Sequence, residues 1–383
     1  MKTLTVVACG ALIGWAAAAD PDAPGVPQLR VAHVGHDHHL ALYAAALDSA
    51  EFKGEWGLWL EERKPREVYD LVEGGRTVAR LLFIQTAGGS AMPAAMSRGE
   101  IDVGLGGTAA IAKFADRGHP IKIIAPLQTD GDQLVMRRGS GVTNWPSFVA
   151  AAKGGGRPLK IGYKEPMAVA KLILVCALEA EGVPYAYESR PDAGVELVNF
   201  GSEKSPLPLL ESGALDGFVM NQPGTAMAVH KGLGQVAAEL RDLPPEGRWM
   251  RHPCCCVAAT EAALREQPEA VKALLKLLHL STARIRANPA WAVDAAVRWT
   301  RNPPEVEAQS VPTSDYGSEA DDAWLRGLRT WHETVQAVSF LDGRYAGLSA
   351  DEFVRAVTAL ELGRAAADEL RADGRLPEAG RRP

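Results

Sequence analysis

The chain has 383 residues, 47% of them hydrophobic and 23% charged, with a formal net charge of −6. That length is enough for two separate cores, and nothing in the mildly negative balance points to binding of nucleic acid or other polyanions. Residues 1–19 read as a secretory signal: Lys2, then an apolar run, then alanines 16–19 as a small-residue cleavage site before Asp20. The run is short for a membrane span, and too little apolar sequence precedes Cys9 for a lipid-attachment site. The cysteines beyond it are Cys176 and the consecutive Cys254, Cys255 and Cys256, which do not form a disulfide framework because neighbouring thiols cannot easily reach disulfide geometry.

Strands and helices alternate along the first two thirds. Residues 20–28 hold three prolines and read as an extended leader. A strand over 29–34 ends at Gly35-His36-Asp37-His38-His39, and a helix follows over 40–50. Residues 51–59 read as an irregular turn and 64–74 as an exposed charged stretch. A strand over 78–86 feeds Gly88-Gly89-Ser90, where Ser90 is expected to cap a short helix that Gly99 ends. A strand over 101–105 closes at Gly106-Gly107, a helix covers 108–118, and a strand covers 120–127. A strand over 133–137 then follows with no helix between, which reads as a first crossing from one lobe to another.

The second half of the pattern repeats the first. A helix over 145–152 and a strand over 159–163 precede an apolar helix over 168–182 and a strand over 195–200. Leu209 to Asp216 again gives helix, Gly213, Asp216 and strand, closing at Asn221-Gln222-Pro223. A helix over 225–232, a strand over 235–240 and a polar loop over 242–251 lead to a strand over 254–259, the expected return crossing. Thr260 caps the next helix, and Pro268 opens a long one to 287 with apolar residues at helical spacing. Helices over 290–301, 322–338 and 350–370 follow, the last with Gly363 as a candidate break, and 375–383 reads as a frayed tail.

Three segments carry a family resemblance: Arg98-Gly99-Glu100-Ile101-Asp102-Val103-Gly104, Leu159-Lys160-Ile161-Gly162-Tyr163 and Ser212-Gly213-Ala214-Leu215-Asp216-Gly217, in that order after the strand at Val31. Over residues 29–300 the chain resembles the periplasmic substrate-binding proteins of nitrate-, sulfonate- and taurine-type ABC importers, and the related thiamine-pyrimidine precursor proteins. The resemblance implies an α/β fold of two lobes, the type II periplasmic-binding-protein arrangement, with parallel sheets and one antiparallel crossing strand per lobe. Lobe I then comprises 29–127 and 260–345, lobe II 128–259, and 346–383 a C-terminal helix and tail. It further implies a monomeric, exported receptor without a cofactor. Such a receptor takes a small polar or anionic ligand between its lobes and meets the membrane only through an ABC permease.

If turns at strand ends face that cleft, lobe I contributes His36, His38 and His39, the backbone N–H groups of Gly89, Ser90 and Ala91 as an anion cradle, Thr108, and Gln128 with Asp130 at the hinge. Lobe II contributes Lys164, Glu165 and Met167, then Asn221 and Gln222, whose amides both donate and accept. Each has a structural alternative: helix capping for Ser90, a solvated loop for Lys164, surface placement for the histidines. The histidine-rich turn and His252-Pro253-Cys254-Cys255-Cys256 depart from the sulfonate pattern, and some of the related thiamine-pyrimidine proteins carry a comparable cysteine run. A receptor for a metal or metal complex, drawing on His36, His38, Cys254, Cys255 and Cys256, is therefore a second reading. On a regular strand Cys254 and Cys256 share one face, and Cys255 takes the other with His252; burial as small hydrophobes is the alternative. No nucleophile elbow, phosphate loop or His-Glu-x-x-His segment occurs, so no enzyme is expected, although a thiamine-pyrimidine synthesis enzyme on the same fold is a third reading.

Overall fold

The two aspartates of the repeated units do the same structural job. In this computed structural model, Asp102 Oδ2 accepts the Arg30 backbone N–H at 2.8 Å and Arg30 Nε at 2.9 Å. Asp216 Oδ2 accepts the Lys160 backbone N–H at 2.8 Å, and the Arg157 guanidinium reaches both of its oxygens at 2.6 and 2.7 Å. Each aspartate thus ties the entry of one strand to the entry of its parallel neighbour. The structure describes residues 25–202, 204–337 and 340–377, so the expected signal at 1–19, with Cys9, lies outside the described residues.

The chain builds β1 (Gln28–His33), β2 (Leu58–Lys64), β3 (Val68–Glu73), β4 (Arg76–Gln85), β5 (Val103–Gly107) and β6 (Ile121–Asp130) in a first sheet. It crosses to a second with β7 (Asp132–Arg137), β8 (Leu159–Tyr163), β9 (Tyr185–Ala186), β10 (Val195–Asn199), β11 (Gly217–Asn221) and β12 (Gly234–Glu239). It then returns to the first with β13 (Pro253–Thr260) and β14 (Ser314–Tyr316). The orders are β14-β6-β13-β5-β1-β4-β3-β2 and β12-β7-β11-β8-β10-β9. In the second sheet β7 is the single strand antiparallel to the rest, as expected. The first sheet differs: β3 and β14 run against their neighbours as well as β13.

β2 and β3 come from the stretch read as turn and charged loop. Leu58, Trp59 and Leu60 are buried, and only the far end of β2, from Glu61 on, is exposed. Its charges belong to an exposed edge strand, a normal device against edge-to-edge pairing. On β3, Asp70 is buried between Arg80 Nε at 2.8 Å and Arg63 Nε at 2.7 Å. Before this meander the chain forms two short helices, Leu40–Leu47 and Ser49–Trp56, rather than one helix and a turn.

The long helix Pro268–Ala287 buries Val271, Leu274, Leu275, Leu278 and Ile285, as its spacing predicted, and Leu277 and Leu280 in addition. The C-terminal stretch breaks at 358–360, not at Gly363, into Ala350–Val357 and Glu361–Ala372. There Ala359 N–H donates to the Ile123 carbonyl at 2.8 Å, so the chain leaves the helix to pair with the sheet edge. Gly363 instead permits close packing, since a Cβ there would lie 2.9 Å from the Ile124 carbonyl oxygen.

The crossing from β6 to β7 turns through Asp130 (φ +64°) and Gly131 (φ +75°), both left-handed. A side chain at Gly131 would collide with Ser314 Oγ at 2.3 Å and His38 Nε2 at 2.6 Å, so this tight turn requires glycine. The return crossing lies alongside, with Asp130 N–H donating to the His252 carbonyl at 3.2 Å.

Candidate binding cleft between the two sheets

Turns from both sheets enclose a cavity of about 70 Å³, room for roughly five waters. From the first sheet come His36, His38, His39, Gly89 and the two cysteines Cys254 and Cys255. From the second come Lys164, Glu165, Met167 and Asn221. Residues not anticipated from the sequence also line the walls, among them Val34, Gly88, Gly106, Asp132, Val169 and Val219. Most of these are small or apolar residues at strand ends, whose only signal is their position beside a glycine turn.

The floor is a histidine and two thiols. His38 Nε2 lies 3.2 Å from the Gly131 carbonyl, and Nδ1 lies 3.5 Å from Cys254 Sγ and 3.8 Å from Cys255 Sγ. The sulfurs are 4.0 Å apart, and one donor atom from each of the three residues fits within 4.8 Å of the others. Strand alternation does not hold here. The pairing of β13 with β6 slips on both sides of Cys255, which turns Cys254 and Cys255 to the same side. Cys256 lies instead beside Thr108, so neither expected thiol pairing forms.

Burial opposes the charged form of His38, but Cys255, Asp37 and Asp132 outweigh it and raise the imidazole to about 9. The hydrogen bond from Cys254 and the neighbouring histidines hold the Cys255 thiol well below its usual range, against burial. His36 is pushed well below its usual value, first by burial and then by His39, His38 and Lys164. Its ring packs 5.1 Å from that of His38 and 4.8 Å from that of His39, and it stands outside the cluster of His38 and the two sulfurs. His39 Nδ1 accepts the Val34 N–H at 3.2 Å, which fixes the start of the histidine turn.

His252 does not join the thiols. Its Nε2 lies 3.1 Å from Asp132 Oδ2 and its Nδ1 3.3 Å from Asp130 Oδ1, so it bridges the two strands that cross between lobes. Burial disfavours its charge, yet the two aspartates raise it to about 10.

Glu165 also joins the two sheets. Its Oε2 accepts Ser90 N–H at 3.1 Å and Ser90 Oγ–H at 3.2 Å. Ser90 therefore makes no side-chain cap for the helix Ala91–Ser97, contrary to expectation. Lys164 lines the same cavity, and burial lowers its amine below the usual value against the pull of Glu165 and the thiols.

Five of the expected site residues stand elsewhere. Ser90 offers its donors to Glu165 and does not line the cavity, and Ala91 is exposed on the helix beyond it. Thr108 is buried behind the cavity at Cys256. Gln128 is fully buried and uses its Nε2 on the Thr129 and Asp130 carbonyls and on Ser314 Oγ, so it holds the hinge turn. Gln222 Oε1 accepts Thr225 Oγ1–H at 2.8 Å and Ala226 N–H at 3.1 Å, which secures the start of the next helix. Both glutamines are positioned by their backbone at strand ends but turn away from the cleft.

A model of the NMT1-like family matches residues 22–299 of the chain. The chain belongs to the NMT1-like family. An uncharacterized protein of Methanocaldococcus jannaschii is 30% identical to this NMT1-like chain over 136 residues, which are 35% of the chain and 94% of that relative. Among solved structures, the ligand-binding component of an ABC-type import system from Staphylococcus aureus, determined with zinc bound, aligns at TM-score 0.68 and 14% identity, covering 89% of this chain and 99% of that one. The periplasmic nitrate-binding protein NrtA from Synechocystis aligns at 0.66 and 15% identity, over 93% and 92% of the two chains. The periplasmic aliphatic sulphonate-binding protein SsuA from Escherichia coli aligns at 0.61 and 12% identity, over 87% and 92%. At these identities the likeness is one of fold: the periplasmic-binding-protein arrangement, two lobes about a cleft.

Proposed function

We propose that this NMT1-like chain is an exported solute-binding protein that captures a small polar ligand between its lobes and delivers it to an ABC permease. One observation carries the reading: the cavity is walled by turns of both sheets, so a ligand inside it touches both lobes at once. Only such shared contacts let a ligand favour a closed state over an open one. The export signal at 1–19, the monomeric state and the permease partner belong to the same proposal, supported by the fold and by the transport roles of its structural neighbours. No helix among the described residues is long and apolar enough to cross a membrane. The test is a thermal-shift screen of the protein against nitrate, sulfonates, amino acids, amines and metals, combined with alkylation of the cleft thiols. A true ligand at a hundredfold excess over its Kd stabilises by about 2.7 kcal/mol and shields Cys254 and Cys255. A ligand that stabilises without shielding them binds elsewhere and overturns the interlobe reading.

A metal or metal-complex receptor is the second reading, and the geometry of His38 favours it. If Nε2–H donates to Gly131, Nδ1 is left facing two sulfurs, the outer-shell arrangement that orients metal-bound imidazole. Two thiolates and an imidazole suit a thiophilic ion such as zinc, and leave one position of a tetrahedral set for the ligand. Cobalt(II) titration of protein purified without a histidine tag should produce thiolate-to-cobalt absorption that Cys254→Ser and Cys255→Ser each remove. Absorption that survives both substitutions refutes this assignment.

A further inference from the structure

The turn expected to cradle an anion already holds one. Ser90 donates both its N–H and its hydroxyl to Glu165, a residue of the opposite sheet and 75 positions later in the chain. The fit is close: a Cβ on Gly89 would lie 2.1 Å from Glu165 Cδ and within 2.3 Å of both carboxylate oxygens, so only glycine admits the side chain. Glu165 is 7% exposed, and its second oxygen, Oε1, is buried with no partner. It lines the cavity with Lys164, His38 and Asp132; His252 already engages Asp132 at 3.1 Å, so the unpartnered Glu165 oxygen is the free acceptor facing the space where a ligand sits.

A tethered carboxylate competes with any free anion at high effective concentration. A free oxyanion seeking the Ser90 donors would also meet the Glu165 carboxylate at short range, with little water to screen it. The unpartnered oxygen has the opposite need, because a buried carboxylate oxygen without a donor is unfavourable. We infer that Glu165 sets the specificity of the cleft, refusing free oxyanions and taking a small ligand that carries N–H donors and no net negative charge. Nitrate and alkanesulfonates, named for two of the structural neighbours, are thereby excluded. This rests on the receptor reading above and narrows its ligand class.

The experiment uses an isosteric pair, acetamidinium and acetate, with nitrate as a third probe. Each is titrated calorimetrically against wild type, Glu165→Gln and Glu165→Ala, and binding in the cleft is reported by protection of Cys254 and Cys255 from iodoacetamide. Wild type should prefer acetamidinium over acetate at least tenfold and show no nitrate protection. Glu165→Gln, which keeps the shape and removes the charge, should lose that preference, and both variants should gain acetate or nitrate affinity at least tenfold. If wild type takes acetate or nitrate as tightly as Glu165→Gln, the inference about Glu165 fails while the receptor stands. If no probe shields the thiols in any of the three proteins, the cleft is not the binding site and both readings fall.

Discussion

Replacing Glu307 with glutamine should make the protein more stable at pH 8 and leave it nearly unchanged at pH 5. Glu307 lies in the helix Pro304–Ser310 and is fully buried. Its Oε1 accepts Thr300 Oγ1–H and Asn302 Nδ2–H, each at 2.7 Å, while Oε2 is buried without a partner. Asp37 lies close enough to add its charge, itself buried and held by the Ser310 hydroxyl. Burial, and then Asp37, raise the Glu307 carboxyl from 4.5 to about 7, against the two hydrogen bonds. The folded protein therefore holds this proton more tightly than the unfolded chain does. Stability from this group is complete below about pH 4.5 and is lost as the pH rises through about 7. At about 1.36 kcal/mol per pH unit, that interval corresponds to roughly 3–4 kcal/mol. Glutamine keeps an acceptor for Thr300 and Asn302 and cannot ionise, so it removes the loss. Urea unfolding of both proteins at pH 5 and pH 8 reads the difference directly. Equal differences at the two pH values, or a less stable variant at pH 8, would refute the reasoning.

Further substitutions probe other parts of the argument. Gly89→Ala places a Cβ against Glu165 at a left-handed backbone position (φ +56°). It should cost about 1–2 kcal/mol of backbone strain in denaturant unfolding and displace the Glu165 carboxylate from Ser90, so that Glu165→Gln on the Gly89→Ala background changes stability less than it does in the wild type. Thr260→Ala removes the cap that accepts Ala263 N–H at 3.1 Å, a loss of about 1 kcal/mol in denaturant unfolding; Thr260→Ser should restore it. Asp102→Ala and Asp216→Ala each remove several charge-assisted hydrogen bonds, at about 2–3 kcal/mol apiece. Since they lie in different sheets, the double variant should show the sum within about 0.5 kcal/mol.

What was legible in the sequence has a local physical basis. The strand at 159–163 and the long helix from Pro268 are set by the spacing of apolar residues, and both are observed. The paired Gly-x-x-Asp units revealed two lobes because each unit is one helix, one turn and one strand, complete within about fifteen residues. The meander at 58–73 was hidden because Glu61, Glu62, Arg63 and Lys64 follow the buried Leu58–Trp59–Leu60 directly and mask its strand pattern.

The site depended on relations that no local pattern records. Glycine turns at strand ends located the cleft's neighbourhood, and the histidine turn, Lys164 and Asn221 do meet there. Which side chains turn inward was decided by partners far away in the chain. The slipped pairing of β13 with β6 brings Cys254 and Cys255 together, His252 is held by Asp130 and Asp132 of the crossing, and Ser90 is claimed by Glu165. Apolar periodicity, a property of neighbours in sequence, sufficed for the two-lobed α/β plan. Only the packed sheets, by setting register and facing one lobe's carboxylate to the other's serine, determined what the cleft presents to a ligand.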